Sequence, residues 1–406
     1  MNAMNARFLR SVALAIAGPF VLAGCTAGVS LRSETETNGA RLISRQSALA
    51  PDFSSQSRPM GISGPSQART RPSSLVNLYG ELQGDWQDTP VGPWDGSSNV
   101  SQMTFATEGA CADPDVSRDG KRLVFSSTQH SERSDIYITP IPGRTLTQLT
   151  NDPADDIMPE FHPSGNTIAF ASNRAGIWDI YVISVDGGQP MRVTDEPAHE
   201  LHPSWSPDGR HLIYCKLGVR SHRWEMWVVD TDNPGVRQFL DYGLFPQWCP
   251  DVARSKILFQ RARQRGSRYF SMWTVDYING EAVHPTEIVS AGNAAVINPT
   301  WSPDGSRIVF VTVVQPDAND DDAIERSDVW LTNLDGSGRT NLTNGHYANY
   351  QPVWGPNGRV FFVSDRTGVD NIWAVSTNRA MDAINPRPSR ITTVTPGYFE
   401  TSTGRP

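Results

Sequence analysis

The chain has 406 residues and a formal net charge of -8, which argues against the broad positive surface that nucleic-acid binding requires and removes nucleic acid from the expected partners. Its 12 Trp, 33 Gly and 30 Pro suit many short strands joined by tight turns, so the expectation is an all-β domain with a segment attached.

Residues 1–24 read as a secretory signal. Arg7 and Arg10 precede an apolar run from Ser11 to Ala23 that is too short to span a bilayer comfortably. The phrase Leu22-Ala23-Gly24-Cys25 resembles the bacterial lipobox. That resemblance implies lipid attachment at Cys25, a membrane contact through the N-terminal lipid, and an outer-membrane lipoprotein facing the periplasm, since residue 26 is Thr and not Asp. An ordinary cleaved signal with an incidental Cys is the alternative. Residues 25–75 are rich in Ser, Arg, Pro, Thr, Gln and Gly without an apolar period, and such a composition buries too little surface to offset its ordering entropy. The segment is expected to be a disordered tether with a reach of roughly 40 Å. Residues 76–100 add Leu78, Tyr79, Trp86 and Trp94 and are expected to dock partly on the folded domain.

From 101 to 395 the chain repeats. Pro114, Pro159, Pro203, Pro246, Pro299 and Pro352 open six units 43 to 53 residues apart. Two residues after each proline stand Val116, Phe161, Trp205, Trp248, Trp301 and Trp354. A turn follows, then a β-rich run such as "RLVFSS" or "TIAFAS", a third strand such as "DIYVIS", and in most units a short closing run such as "QLT" or "RVT". Three clear strands and a weaker fourth per unit are the content of one propeller blade, which predicts a six-bladed β-propeller of four-stranded blades. Two segments compete to close the ring, "QMTF" at 102–105 and "RITTV" at 390–394. Residues 396–406 form a tail.

The phrase Trp-Ser-Pro-Asp-Gly occurs at 205–209 and again at 301–305. Pro sets φ, Asp bonds its own backbone, and Gly takes the positive φ of a tight turn. The phrase is therefore read as scaffold, with Trp205 and Trp301 filling wedges between blades and Asp208 and Asp304 as turn residues. Together with "SNRAG" at 172 and "SDRTG" at 364, the repeat resembles that of TolB, a periplasmic family of the Tol-Pal envelope system. The resemblance covers about residues 101–395 and implies the propeller fold. An α/β domain before the propeller belongs to that family's pattern, whereas here a lipobox and tether take its place, so its partner contacts do not carry over by residue.

Candidate chemistry lies in what the repeats do not share. Loops from every blade converge at the channel mouth, and the residues just before the prolines include Asp113, His202, Asn298 and Gln351, with His199 slightly earlier. These are candidate binding residues for a small ligand or a peptide. The pair His199 and His202 also suggests a Zn or Mn ion, the basis of a competing reading as a metal-dependent lyase or hydrolase acting on polysaccharide. Asp317, Asn319 and Asp321 follow the D-x-N-x-D opening of a calcium loop, the one cofactor suggested, with Asp322 where a turn Gly belongs. A basic run carries Arg261, Arg263, Arg265 and Arg268. Cys111, Cys215 and Cys249 lack metal or redox spacing and are read as buried thiols. No nucleophile elbow or complete catalytic triad is visible, so no catalytic residue is assigned. The sequence points to an envelope lipoprotein whose propeller binds a protein or polymer, with a purely structural role in an envelope assembly as a third reading.

Overall fold

The computed structural model describes residues 100–143, 145–264, 269–314, 327–343, 347–378 and 380–381. They form six antiparallel four-stranded sheets. Blade 1 consists of Cys111–Val116, Arg122–Ser127, Asp135–Pro140 and Thr147–Gln148, in spatial order from the axis outward. The innermost strands of blades 2 to 6 are Asp156–Phe161, Glu200–Trp205, Leu244–Trp248, Ala294–Trp301 and Asn349–Gly355. Each touches its neighbour, and the strand of blade 6 touches that of blade 1. The ring is closed, which removes the long unpaired edges that make open sheets prone to association.

Period-two alternation builds the core. The fourth residue of each second-strand run, Phe125, Phe170, Tyr214, Phe259, Phe310 and Phe362, is fully buried. Each such side chain contributes about 2 kcal/mol of apolar transfer. Between the blades lie the aromatic residues that follow the prolines. Trp205 receives the His162 ring edge-on at a centroid distance of 4.6 Å, and the Trp301 indole donates to the Gln247 carbonyl of the preceding blade at 3.1 Å. Both tryptophans fill the wedges expected of them.

The repeated turn has two functions. Asp208 Oδ1 accepts from Ser206 Oγ at 2.5 Å and from the Arg210 backbone N–H at 3.1 Å. Burial works to raise its pKa, but these hydrogen bonds outweigh it and hold the carboxyl below its ordinary range. Asp304 is treated the same way by Ser302 and Ser306. Gly209 has φ +77°, and a Cβ there would stand 2.2 Å from His162 Nε2. The turn glycine is thus both a conformational requirement and the seat for a side chain from the neighbouring blade. At Gly305 the occupant is Cys249 Sγ. Cys111, Cys215 and Cys249 are all buried and unpaired as disulfides.

Closure is made by the N-terminal end of the described chain. Val100–Gln102 pairs antiparallel with Asn371–Ser376, with Val100 opposite Val375 and Gln102 opposite Trp373. The ladder continues through "QMT": Met103 N–H donates to the Ile372 carbonyl at 2.8 Å, and Thr104 Oγ1 accepts the Ile372 N–H at 2.8 Å. Thr150, Thr194 and Thr343 accept from Ile136, Ile180 and Val329 in the same way. A threonine hydroxyl that continues a backbone ladder explains why the closing run ends in Thr. The fourth place in blade 6 is therefore filled from 100–104. The rival run at 390–394, Cys25, the tether, most of the 76–100 segment, and the calcium-loop residues Asp317, Asn319 and Asp321 lie outside the described residues.

Candidate functional site

The residue before each of the six prolines has a left-handed backbone: φ is 50° at Asp113, 55° at Met158, 56° at His202, 51° at Phe245, 48° at Asn298 and 49° at Gln351. At each, the register between the innermost and second strands shifts, as between Leu201 and Ser204. Proline has no N–H for the ladder, and a bulge at this point absorbs the missing bond and re-aims the preceding side chain. A left-handed non-glycine residue costs on the order of 1 kcal/mol. Its recurrence in all six blades marks it as part of the architecture.

These six residues meet around the axis. The Asp113 N–H donates to Gln351 Oε1 at 2.9 Å, and Gln351 Nε2 donates back to Asp113 Oδ1, joining blades 1 and 6. Asp113 Oδ2 accepts from Ser126 Oγ at 2.8 Å and from the Met158 N–H of blade 2 at 3.3 Å. The His202 ring lies against Phe245 with centroids 3.7 Å apart. The Asn298 N–H donates to Gln260 Oε1 at 2.8 Å. Four of the five sequence-selected residues, Asp113, His202, Asn298 and Gln351, thus belong to one ring.

His199 does not. Its Nδ1 lies 3.5 Å from the Trp178 backbone N–H, while burial lowers the pKa of His202 to about 3 and keeps it a neutral imidazole. The two histidines have separate neighbours, and among the described residues no group of three or more His, Cys, Asp or Glu could hold a metal ion. Of the basic run, Arg261 pairs with Asp241 at 2.5 Å and Arg263 donates to the Ala291 carbonyl; Arg265 and Arg268 lie outside the described residues.

In blades 1 to 3 the residue one past the proline bonds the next blade. Asp115 Oδ2 accepts the Phe161 N–H of blade 2 at 2.7 Å. Glu160 Oε1 accepts the Trp205 N–H at 3.0 Å and Ser204 Oγ at 3.1 Å, both from blade 3. Ser204 Oγ in turn accepts the Trp248 N–H of blade 4 at 3.2 Å. Each side chain therefore satisfies a backbone donor of the next blade. Burial raises the carboxyls of Asp113 and Asp115, the latter to about 7, and burial together with the nearby Asp115 charge raises Glu160 well above its ordinary value. All three keep some accessible surface at the innermost strands. Sequence reasoning missed Asp115 and Glu160. Their signal was available, because residues two apart on a strand share a face and Asp113-Pro114-Asp115 repeats an acid at that spacing.

The rim reveals what the Ser-Asn/Asp-Arg-x-Gly phrase does. Arg174 NH2 lies 2.9 Å from both oxygens of Asp156, which is fully buried at the start of the innermost strand. Arg366 donates to the equivalent Asn349 at 3.0 Å. Blade 3 has no such arginine: Lys216 stands opposite Glu200 as Ser172 stands opposite Asp156, and Gly218 follows where the arginine would be. Glu200 is buried, and that burial raises it to about 8.

Residues 97–283 match the family model of the TolB beta propeller domain. Among solved structures, a putative TolB from Agrobacterium tumefaciens is 21% identical with a TM-score of 0.51, covering 68% of this chain and 96% of that one. An oligogalacturonate lyase from Vibrio parahaemolyticus is 14% identical with a TM-score of 0.47, covering 68% and 93%. The uncharacterized peptidase YuxL of Bacillus subtilis is 26% identical over 124 residues, 30% of this chain, and the match spans only 17% of that relative's length.

Proposed function

The propeller is TolB-like, and from that premise we propose that it is a recognition scaffold of the bacterial envelope, holding a protein or polymer partner at its channel. One observation carries this reading. Six positions with the same left-handed backbone present six different side chains, Asp, Met, His, Phe, Asn and Gln, to one axis. A constant frame that displays varied groups is suited to binding, whereas catalysis needs a positioned acid, base or nucleophile acting on a substrate atom. Lipid attachment at Cys25, with residues 25–75 as spacer from the outer membrane, belongs to the same proposal and is supported by the lipobox resemblance.

The test is cross-linking capture from envelope preparations with the full chain, comparing wild type with Phe245→Arg, which places a charge in the ring. A defined partner captured by wild type and lost in the variant supports the reading. Capture indifferent to ring substitution contradicts it, as does metal-dependent formation of double bonds in a uronate polymer that requires His199 and His202.

A further inference from the structure

Asp113, Asp115 and Glu160 stand on the innermost strands of blades 1 and 2 and keep some accessible surface. Their hydrogen-bond partners are all neutral: Ser126, Gln351 and the Met158 N–H for Asp113, the Phe161 N–H for Asp115, and Ser204 with the Trp205 N–H for Glu160. No ion pair reaches any of them from the described lysines and arginines. Two other buried acids, Asp156 and Asp179, are paired with Arg174 and Arg192, whereas Glu200 is not paired with a cation.

A second observation is independent of the acids. Asn298 Oδ1 and His202 Nε2, on residues only 6% exposed, have no hydrogen-bond partner. Both belong to the axial ring, and Asn298 comes from blade 5, across the six-bladed ring from blade 2. Leaving a buried polar atom unsatisfied costs on the order of 1 to 3 kcal/mol, so two of them at the axis mark a place where hydrogen-bond donors arrive. Carboxylates from blades 1 and 2, with unused acceptors from blades 3 and 5, describe a site that takes a donor-rich cation. Met158 and Phe245 stand in the same ring and offer apolar flanks to a methylene stem. A divalent ion fits less well, because the carboxyl oxygens already accept backbone and hydroxyl donors and no metal-holding group of three forms among the described residues.

We propose that the channel is a socket for one cationic side chain, a lysine or arginine tip of a partner polypeptide, seated against Asp113, Asp115 and Glu160 with Asn298 Oδ1 and His202 Nε2 accepting its remaining hydrogens. The proposal rests on the recognition reading and names the chemistry of its partner. Burial raises all three carboxyls, Asp115 to about 7, so an arriving cation displaces protons from Asp115 as it binds.

Calorimetry of the full chain with the peptide acetyl-Gly-Gly-Lys-Gly-Gly-amide, and with the same peptide carrying norleucine for lysine, tests this at pH 7 in two buffers of different ionisation enthalpy. The expected result is saturable binding at least tenfold tighter for lysine, with proton release, and a tenfold loss in the double variant Asp115→Asn, Glu160→Gln. Asn298→Leu, which removes an oxygen without a partner, weakens binding, with no more loss of melting temperature than a leucine at this left-handed position brings. It carries the test if the double variant does not fold. No preference for lysine over norleucine overturns the socket, as does binding indifferent to these substitutions or calcium that occupies the same carboxyls and displaces the peptide. Envelope-partner capture that persists in the double variant sinks the socket and leaves the recognition reading standing. Lysine discrimination without any captured partner does the reverse.

Discussion

The Trp205 backbone N–H donates to Glu160 Oε1 at 3.0 Å across the seam between blades 2 and 3. This half-buried acid therefore joins two blades, and its neighbour Asp115 does the same for blades 1 and 2.

Burial of such acids makes stability depend on pH. Asp115 is raised by burial to about 7 and Glu200 to about 8, whereas unfolded carboxyls titrate near 4. Between those values the folded state binds more protons, so stability falls as pH rises from about 4 to about 8. The melting temperature is expected to be higher at pH 5 than at pH 8 by roughly 5 °C. Asp115→Asn with Glu160→Gln should flatten the profile, and a melting curve that rises across this window contradicts the assignment.

Glu200 offers a separate check, because the arginine that neutralises Asp156 is missing from its blade. Glu200→Gln is expected to raise stability at pH 8 and to change little at pH 5. Equal effects at both pH values would show that Glu200 is not the titrating group.

The two rim arginines provide a controlled comparison. Arg174 serves the carboxylate of Asp156 and Arg366 the amide of Asn349. Arg174→Ala leaves a buried carboxyl without its cation and should cost about 3 kcal/mol, whereas Arg366→Ala removes a neutral acceptor's partner and should cost about 1 kcal/mol. Denaturant melts of both variants decide, and equal losses would make stacking on nearby aromatic rings the dominant contribution.

Gly209 and Gly176 separate backbone strain from crowding. Both have positive φ, but a Cβ at Gly209 meets His162 at 2.2 Å and one at Gly176 meets nothing within 4 Å. Gly176→Ala should cost about 1 kcal/mol. Gly209→Ala should cost more, and His162→Ala in the same chain should recover part of the difference.

Much of this architecture is legible in local pattern. The prolines, the aromatic residue two positions on and the second-strand run ending at Phe125 or its equivalents each follow from strand alternation and turn chemistry, which are short-range properties. Ring closure is not local: Ser101 pairs with Ala374, 273 residues away, and "QMT" and "RIT" look alike until their partners are known. Counting from the prolines places Asp113, His202, Asn298 and Gln351 at the bulges, because a bulge recurs at that position in every blade. The same count did not place His199, whose neighbour is the backbone of blade 2, and it passed over Asp115 and Glu160, whose meaning lies in the adjacent blade.

Recognition at the axis is the central claim, and a photo-reactive phenylalanine analogue at Phe245 tests it most directly in intact cells. The account predicts a discrete adduct with one envelope protein or polymer from position 245, and none when the same analogue replaces Val252, which is 69% exposed on a turn. Equal labelling from both positions, or none from the axis, would contradict it.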